Sequence, residues 1–200
     1  MTEAPRPRRP RGRGPVAALV AAALLALAPA PAEAQESPAA ARFELSAGAT
    51  SLRGDPSALA TASVLVGITP RLFLGGTGSV FLGTRLIEGS TRGNDLELRS
   101  AFGGLALHYR LADAPGLWLR LTAGAGNAKV DLAVARTRIA ADNFVVLEPE
   151  LGVFRPVAGP LHVGVAVGYR ATLGVEDLQG VAPADLRGPT ARLVLTALRF

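Results

Sequence analysis

The residues best suited to chemistry are charged side chains set in otherwise apolar stretches. They are Glu44, Arg120, Glu148, Glu150 and Arg170. Two carboxylates spaced like Glu148 and Glu150 could act as a general acid and a general base. We assign them no catalytic role, because arginines are expected on both sides to pair with them. A lattice of ion pairs is the expected arrangement, since a buried charge needs a counter-charge.

Two turns predict how these charges pair across neighbouring strands. A turn near Ala135 would place Arg120 opposite Glu150, and the next turn would place Glu148 diagonally from Arg170. Opposite charges in such positions stabilise a sheet. The charged residues therefore predict a structural plug, with a gate whose pairs exchange partners to pass small solutes as the alternative.

Other side chains give little support for catalysis or for a bound metal. The chain has no cysteine, which excludes disulfides, cysteine nucleophiles and cysteine-based metal sites. His108 and His162 are its two histidines, and two distant imidazoles do not make a metal centre. The glycine-rich run from Gly75 to Gly78 lacks the Lys-Ser/Thr pair of a phosphate loop. We predict no enzymatic activity, no metal and no cofactor.

The first 34 residues have the three parts of a secretory signal peptide. Five arginines precede Gly14, an apolar run covers residues 16–28, and Ala32-Glu33-Ala34 is a small-x-small cleavage site. The apolar run is short for a membrane helix, which needs about 20 residues, and prolines follow it. We predict cleavage before Gln35, with an N-terminal membrane anchor as the alternative.

Much of the net charge of +5 belongs to this N-terminal segment. Residues 1–34 contain five arginines and two glutamates, so residues 35–200 keep 16 basic and 14 acidic side chains. A net charge of +2 on about 166 residues gives no reason to expect a nucleic-acid partner.

Alternation of apolar and small or polar residues predicts β-strands along residues 42–200. Eight such segments are visible, and most are long enough to cross a bilayer as a tilted strand. They cover residues 42–50, 63–68, 72–82, 101–109, 117–124, 145–153, 161–170 and 190–200. Three short connections, such as Thr69-Pro70-Arg71, alternate with longer polar ones. Tight turns at one end and longer loops at the other are typical of a transmembrane β-barrel.

The two faces of these segments differ in chemistry. One face consists mainly of Leu, Val and Ala, and the other mixes Gly, Ser, Thr, Arg, Glu and His. A membrane barrel turns its apolar face outward, and eight strands leave an interior that charged side chains can fill. Six aromatics fall at segment ends beside the short turns, where they predict an interfacial girdle. Strict alternation turns Phe73, Trp118 and Phe154 inward, so these three predict either a local bulge or a plug of the lumen.

The alternating segments and the last eleven residues resemble the small eight-stranded outer-membrane β-barrel proteins of the OmpA/OmpX/OmpW-like kind. The resemblance covers residues 42–200. In that family a final Phe, with apolar residues at alternate positions before it, is a recognition signal for the barrel assembly machinery. Phe200, Leu198 and Val194 match this signal, whereas Arg192 departs from it.

The expected molecule is an all-β, eight-stranded antiparallel transmembrane up-and-down β-barrel. We predict a cleaved signal peptide over residues 1–34, a short periplasmic segment over 35–41 and an outer-membrane β-barrel over 42–200. The expected location is the outer membrane of a Gram-negative cell envelope. Expected partners are outer-membrane lipid and lipopolysaccharide, with the secretion translocon and the barrel assembly machinery during biogenesis.

Several functions fit such a porin-like barrel. A structural or surface-interaction role without catalysis, as a monomer, is the leading expectation. A narrow channel for small solutes or ions is the first alternative. A lipid A-modifying enzyme and a soluble lipocalin-like barrel are further alternatives.

Removal of Phe200 tests the assembly signal that the resemblance implies. We expect a variant ending at Arg199 to reach the outer membrane in reduced amounts, because its recognition residue is missing. Quantitative immunoblotting of membrane fractions measures this. Wild-type amounts of the shortened chain in the outer membrane would contradict the assignment.

Overall fold

A computed structural model describes residues 41–52, 55–82, 85–87, 96–112, 116–132, 138–175, 178 and 181–199. The predicted signal peptide, nearly all of the 35–41 segment and Phe200 lie outside these residues. The barrel begins at Ala41, one residue before the predicted boundary.

The described residues form nine β-strands and one short 3₁₀ helix. The strands are β1 (Ala41–Leu52), β2 (Asp55–Gly67), β3 (Leu72–Leu82), β4 (Arg85–Ile87), β5 (Leu96–Ala112), β6 (Leu117–Leu132), β7 (Arg138–Ala158), β8 (Leu161–Leu173) and β9 (Gly188–Arg199). The helix covers Pro183–Leu186, between β8 and β9. No helix in the described part of the chain is long and apolar enough to cross a membrane.

The strands close into a ring of eight positions. The order is β3-β2-β1-β9-β8-β7-β6-β5, and β3 pairs with β5 to complete it. The three-residue β4 pairs with residues 96–98 of β5, beyond the part of β5 that pairs with β3. β3 and β4 therefore lie along the same edge of β5 and count as one position in the ring. Every pairing is antiparallel. The predicted eight-stranded up-and-down β-barrel is therefore confirmed.

The alternation in the sequence fixes which side chains face outward. Leu105, Leu107 and Tyr109 of β5 are exposed, whereas Ala106 and His108 between them are buried. The same rule holds on the other long strands, because successive side chains of a strand point to opposite faces of the sheet. The outer wall is thus apolar, and the interior is filled by side chains.

Short turns close one end of the barrel. Between β2 and β3, the backbone N–H of Leu72 donates to Thr69 Oγ1 at 3.1 Å, which fixes the turn around Pro70. Gly116 and Gly159 adopt φ values of 76° and 52°, which few residues other than glycine tolerate, before β6 and β8. We call this the turn end, and the opposite one the loop end.

Three neighbouring strands extend beyond the others at the loop end. β5, β6 and β7 have 17, 16 and 21 residues, against 11 to 13 for β1, β2, β3, β8 and β9. β8 ends at Leu173, which lies opposite Val145 of β7. Residues 138–144 of β7 therefore extend beyond the end of β8. We call residues 96–100, 128–132 and 138–144 the protruding sheet. The sequence predicted shorter segments here, because polar residues on the outer face break the apolar alternation.

Candidate functional site

The interior of the barrel has three layers. Aromatic rings fill the turn end, charged side chains fill the middle, and apolar side chains fill the loop end. Eight strands leave room for side chains and little else, so each inward residue must pack or pair with its neighbours.

Stacked rings close the turn end. His108 stacks on Trp118 with ring centroids 4.7 Å apart, and Trp118 stacks on Phe154 at 5.1 Å. Phe73 meets His108 edge to face at 6.1 Å, and the guanidinium of Arg42 lies 4.4 Å from the Phe73 ring centroid. The sequence allowed two interpretations of the inward aromatics, a local bulge or a plug of the lumen. The structure shows the plug. Other girdle aromatics, such as Phe43 and Tyr109, do face outward.

Glu44 and Arg120 form the lower half of the charged layer. Arg120 Nη1 donates to Glu44 Oε2 at 2.9 Å. Its Nη2 donates to Ser63 Oγ at 2.6 Å and to Thr77 Oγ1 at 2.9 Å. Arg42 Nη1 lies 3.8 Å from Glu44 Oε1. One guanidinium thus ties β6 to β1, β2 and β3 across the lumen.

Glu148 and Glu150 form the upper half of this layer. Glu148 accepts hydrogen bonds from Arg170 Nε at 2.9 Å and from Arg192 Nη2. Glu150 lies opposite Arg120 in the register of β6 and β7, with Oε2 3.7 Å from Arg120 Nε. Arg192 Nε lies 3.1 Å from Glu150 Oε1. The five residues singled out in the sequence therefore meet in one network.

Arg192 joins the network although the sequence did not place it there. It contacts both glutamates of β7, and its Nη1 donates to Thr61 Oγ1 at 3.0 Å. The faces of β9 were ambiguous because Leu193 and Leu195 share a parity with Arg199. The structure turns Leu193 and Leu195 outward. Arg42 was also missed, although it shares the parity of Glu44 in the same segment.

Two of the three residues of the predicted assembly signal, Val194 and Leu198, lie within the described residues. Val194 faces inward and packs with Trp118, Phe154 and Ala166. The backbone of Leu198 lies opposite Arg42 of β1, and Phe200 lies outside the described residues.

The loop end of the interior is apolar, which corrects the expectation of a polar inner face along the whole barrel. Strand residues line this layer, and residues of the β8–β9 connection fill it from above. They are Leu52, Leu59, Leu98, Phe102, Ala128, Val130, Phe144 and Val146 on the strands, with Val175, Leu178, Val181 and Leu186 from the connection. The connection folds back here because burying four apolar side chains stabilises it in the mouth.

This arrangement offers little room for chemistry. Both carboxylates of β7 are engaged by arginines, so neither is placed as a proton donor to a substrate. His162 is at the turn end of β8, where its Nδ1 lies 3.4 Å from the carbonyl oxygen of Pro160. Within the described ranges, no three His, Cys, Asp or Glu side chains gather as a metal ion would require.

The fold is that of small eight-stranded outer-membrane β-barrel proteins. Ail, the attachment invasion locus protein of Yersinia pestis, matches with a TM-score of 0.51 and 10% identity over 82% of this chain and 100% of its own. Ail in complex with the heparin analogue sucrose octasulfate gives a TM-score of 0.50 at 10% identity and the same coverage. Neisserial surface protein A matches with a TM-score of 0.51 and 14% identity over 81% of this chain and 96% of its own. No family model matches the chain, and no curated protein matches it.

Two glutamates paired with arginine at the same distance allow a matched test of the network. Glu148→Gln leaves Arg170 and Arg192 buried without their shared carboxylate, so we expect a loss of about 3 to 5 kcal/mol in unfolding free energy. Glu97→Gln removes the partner of Arg99, which lies 2.9 Å away on an exposed surface, and should cost less than about 1 kcal/mol.

Urea unfolding in detergent micelles measures both losses beside the wild type. Similar losses for the two variants would mean that the interior network contributes no more than a surface ion pair.

Proposed function

We propose that this chain is a non-enzymatic outer-membrane β-barrel whose main work is structural or is contact with partners at the cell surface. Export by the predicted signal peptide of residues 1–34 precedes its insertion. The turn end then lies in the periplasm and the loop end faces outward. The fold it shares with Ail and with Neisserial surface protein A supports this placement.

The outer wall supports a lipid environment. Large apolar side chains are exposed on all eight long strands, and Leu45, Leu105 and Val167 each expose more than 60% of their surface. A soluble protein rarely exposes a contiguous apolar patch above a few hundred Å². The acyl chains of a bilayer keep such a wall out of water, so a membrane barrel fits better than a soluble lipocalin-like barrel.

The filled interior is the observation that carries the functional proposal. Rings, ion pairs and apolar side chains occupy successive layers from the turn end to the loop end. Passage of a solute would require the mouth to unpack and buried ion pairs to separate. Function is therefore assigned to the outer surface, and above all to the protruding sheet, rather than to a pore.

The rim of the barrel supports lipid and lipopolysaccharide as partners. A depression of about 520 Å³ lies where the apolar wall meets the protruding sheet. Val80 and Ala101 line its lower part, and three basic residues, Arg99, Lys129 and Arg138, line its upper part together with Asp131. Acyl chains below and anionic headgroups above would complement these side chains. During biogenesis the partners are the secretion translocon and the barrel assembly machinery, and the assembled protein is a monomer.

Single cysteines test the placement, because the natural chain contains none. Ala141 is exposed on the protruding sheet, and Pro70 is exposed in the β2–β3 turn. We expect a membrane-impermeant maleimide to label Ala141→Cys on intact cells, and Pro70→Cys only after the outer membrane is permeabilised. The opposite pattern would invert the topology, and labelling of both in a soluble fraction would exclude membrane insertion.

Planar-bilayer recording separates the surface role from the channel. We expect purified protein to insert without discrete conductance steps, because the interior is packed along its length. An open porin purified in the same way serves as the positive control. Reproducible steps from the wild type, altered by Glu148→Gln, would favour the channel instead.

A further inference from the structure

A second depression lies in the outer wall, below the one at the rim. It has a volume of about 690 Å³ and spans β8, β9, β1, β2 and β3. Small outward residues line it together with larger apolar ones. The small residues are Ala47, Ala60, Ala62 and Gly78, and the larger ones are Leu45, Val80, Val163, Leu193 and Leu195. We call this depression the wall groove.

The strand pairings make the wall groove climb around the barrel. Many of its residues follow one row of paired positions. The row is Val163, Leu195, Leu45, Ala62 and Gly78. Continued through β5, β6 and β7, the same row returns to β8 at Leu173, closer to the loop end than Val163, where it began. The groove therefore rises from near the turn end at β8 towards the loop end at β3.

The upper end of the wall groove meets the depression of about 520 Å³ at the rim, which we call the rim depression. Val80 lines both. It pairs with Ala101 of β5, which also lines the rim depression. An apolar surface thus continues from the wall into the basic part of the rim.

The charges of the rim depression lie on three neighbouring strands. Arg99 is on β5, Lys129 on β6 and Arg138 on β7, and Asp131 lies among them. Arg99 also pairs with Glu97 at 2.9 Å. Three basic side chains against two acidic ones leave this part of the described surface with a net positive charge. At about 4.8 Å between strands, the basic residues extend over about 10 Å, which is wider than one phosphate group.

We propose that the wall groove and the rim depression together hold one phosphorylated and acylated saccharide lipid of the lipid A type. The proposal rests on the proposed function, which places the loop end in the outer leaflet. One acyl chain lies in the wall groove, and the phosphates contact the basic side chains of the rim. From β3 to β8 the groove crosses about 19 Å of wall. One leaflet supplies about 15 Å of hydrocarbon, so a chain lying aslant fits.

Selection of this lipid depends on fit and charge. In a bilayer the wall and every acyl chain are already out of water, so the hydrophobic effect favours no particular chain. Van der Waals contacts in the wall groove favour a chain that lies in it. Basic side chains near the membrane surface attract anionic headgroups. A saccharide with two phosphates can reach basic residues on separate strands, whereas phosphatidylglycerol has a single phosphate.

Two glycines of β3 offer a matched pair of variants. A Cβ atom added at Gly76 or at Gly78 would meet no atom within 4 Å, so leucine fits at both positions. Gly78 lines the wall groove, and Gly76 is not among the described residues that line it. Gly78→Leu therefore fills the groove, and Gly76→Leu adds the same side chain to the wall beside it.

Titration of the mature chain with bis-phosphorylated lipid A in detergent micelles tests the site, with bound lipid counted by native mass spectrometry. We expect one lipid on each wild-type barrel. Gly78→Leu should raise the apparent Kd about fivefold, because leucine takes the place of about ten van der Waals contacts of the chain. Gly76→Leu should leave the apparent Kd unchanged.

A second pair of variants tests the headgroup. Lys129→Gln should weaken the binding of lipid A and leave that of the same lipid without phosphates unchanged. Arg71→Gln removes an exposed arginine at the turn end and should change neither.

Equal affinity of Gly78→Leu and the wild type would overturn the proposal. So would several equivalent lipids on each barrel, or phosphatidylglycerol bound as tightly as lipid A. Maleimide labelling of Ala141→Cys and Pro70→Cys tests the orientation without any bound lipid. The expected labelling without a lipid A site would therefore overturn this inference and leave the proposed function in place.

Discussion

The narrow interior of an eight-stranded barrel is the constraint on which the other features of this molecule depend. A closed sheet assigns each residue to the wall or to the lumen, and a lumen of this width must be filled by side chains. The contacts of Arg192 with Glu148 and Glu150, and of Arg120 with Glu44, meet that demand where the inward residues are charged. Stacked aromatic rings fill the lumen at the turn end, and apolar side chains fill it at the loop end.

Much of the fold could be predicted because alternation is a local property. The parity of Leu105 to Tyr109 or of Leu117 to Leu121 is visible in the sequence, and a barrel has only two faces to assign. The position of Arg120 opposite Glu150 could be predicted from a single turn, because the connection between two antiparallel strands fixes their register. The contact of Arg170 with Glu148 is closer than the diagonal that the sequence suggested.

The missed features depend on contacts between residues far apart in the chain. Arg192 pairs with residues 42 and 44 positions earlier, and the parity of β9 was ambiguous in the sequence alone. The apolar mouth depends on the β8–β9 connection, whose Val175, Leu178 and Val181 have no strand-like alternation to indicate burial. Their inward packing is a tertiary effect, because the open end of a barrel offers an apolar surface that some segment must cover.

The described strands end at unequal heights at the loop end. β7 pairs with β8 from Val145 onward, and residues 138–144 extend beyond that pairing. At about 3.3 Å per residue, this extension is about 23 Å long in the direction of the strand. In the proposed orientation, a large partner approaching the cell would meet the end of β7 before the ends of β1, β2 and β9, as far as the described strands extend. Contact would then tilt the approaching body relative to the barrel axis, so the barrel would present a preferred direction of engagement.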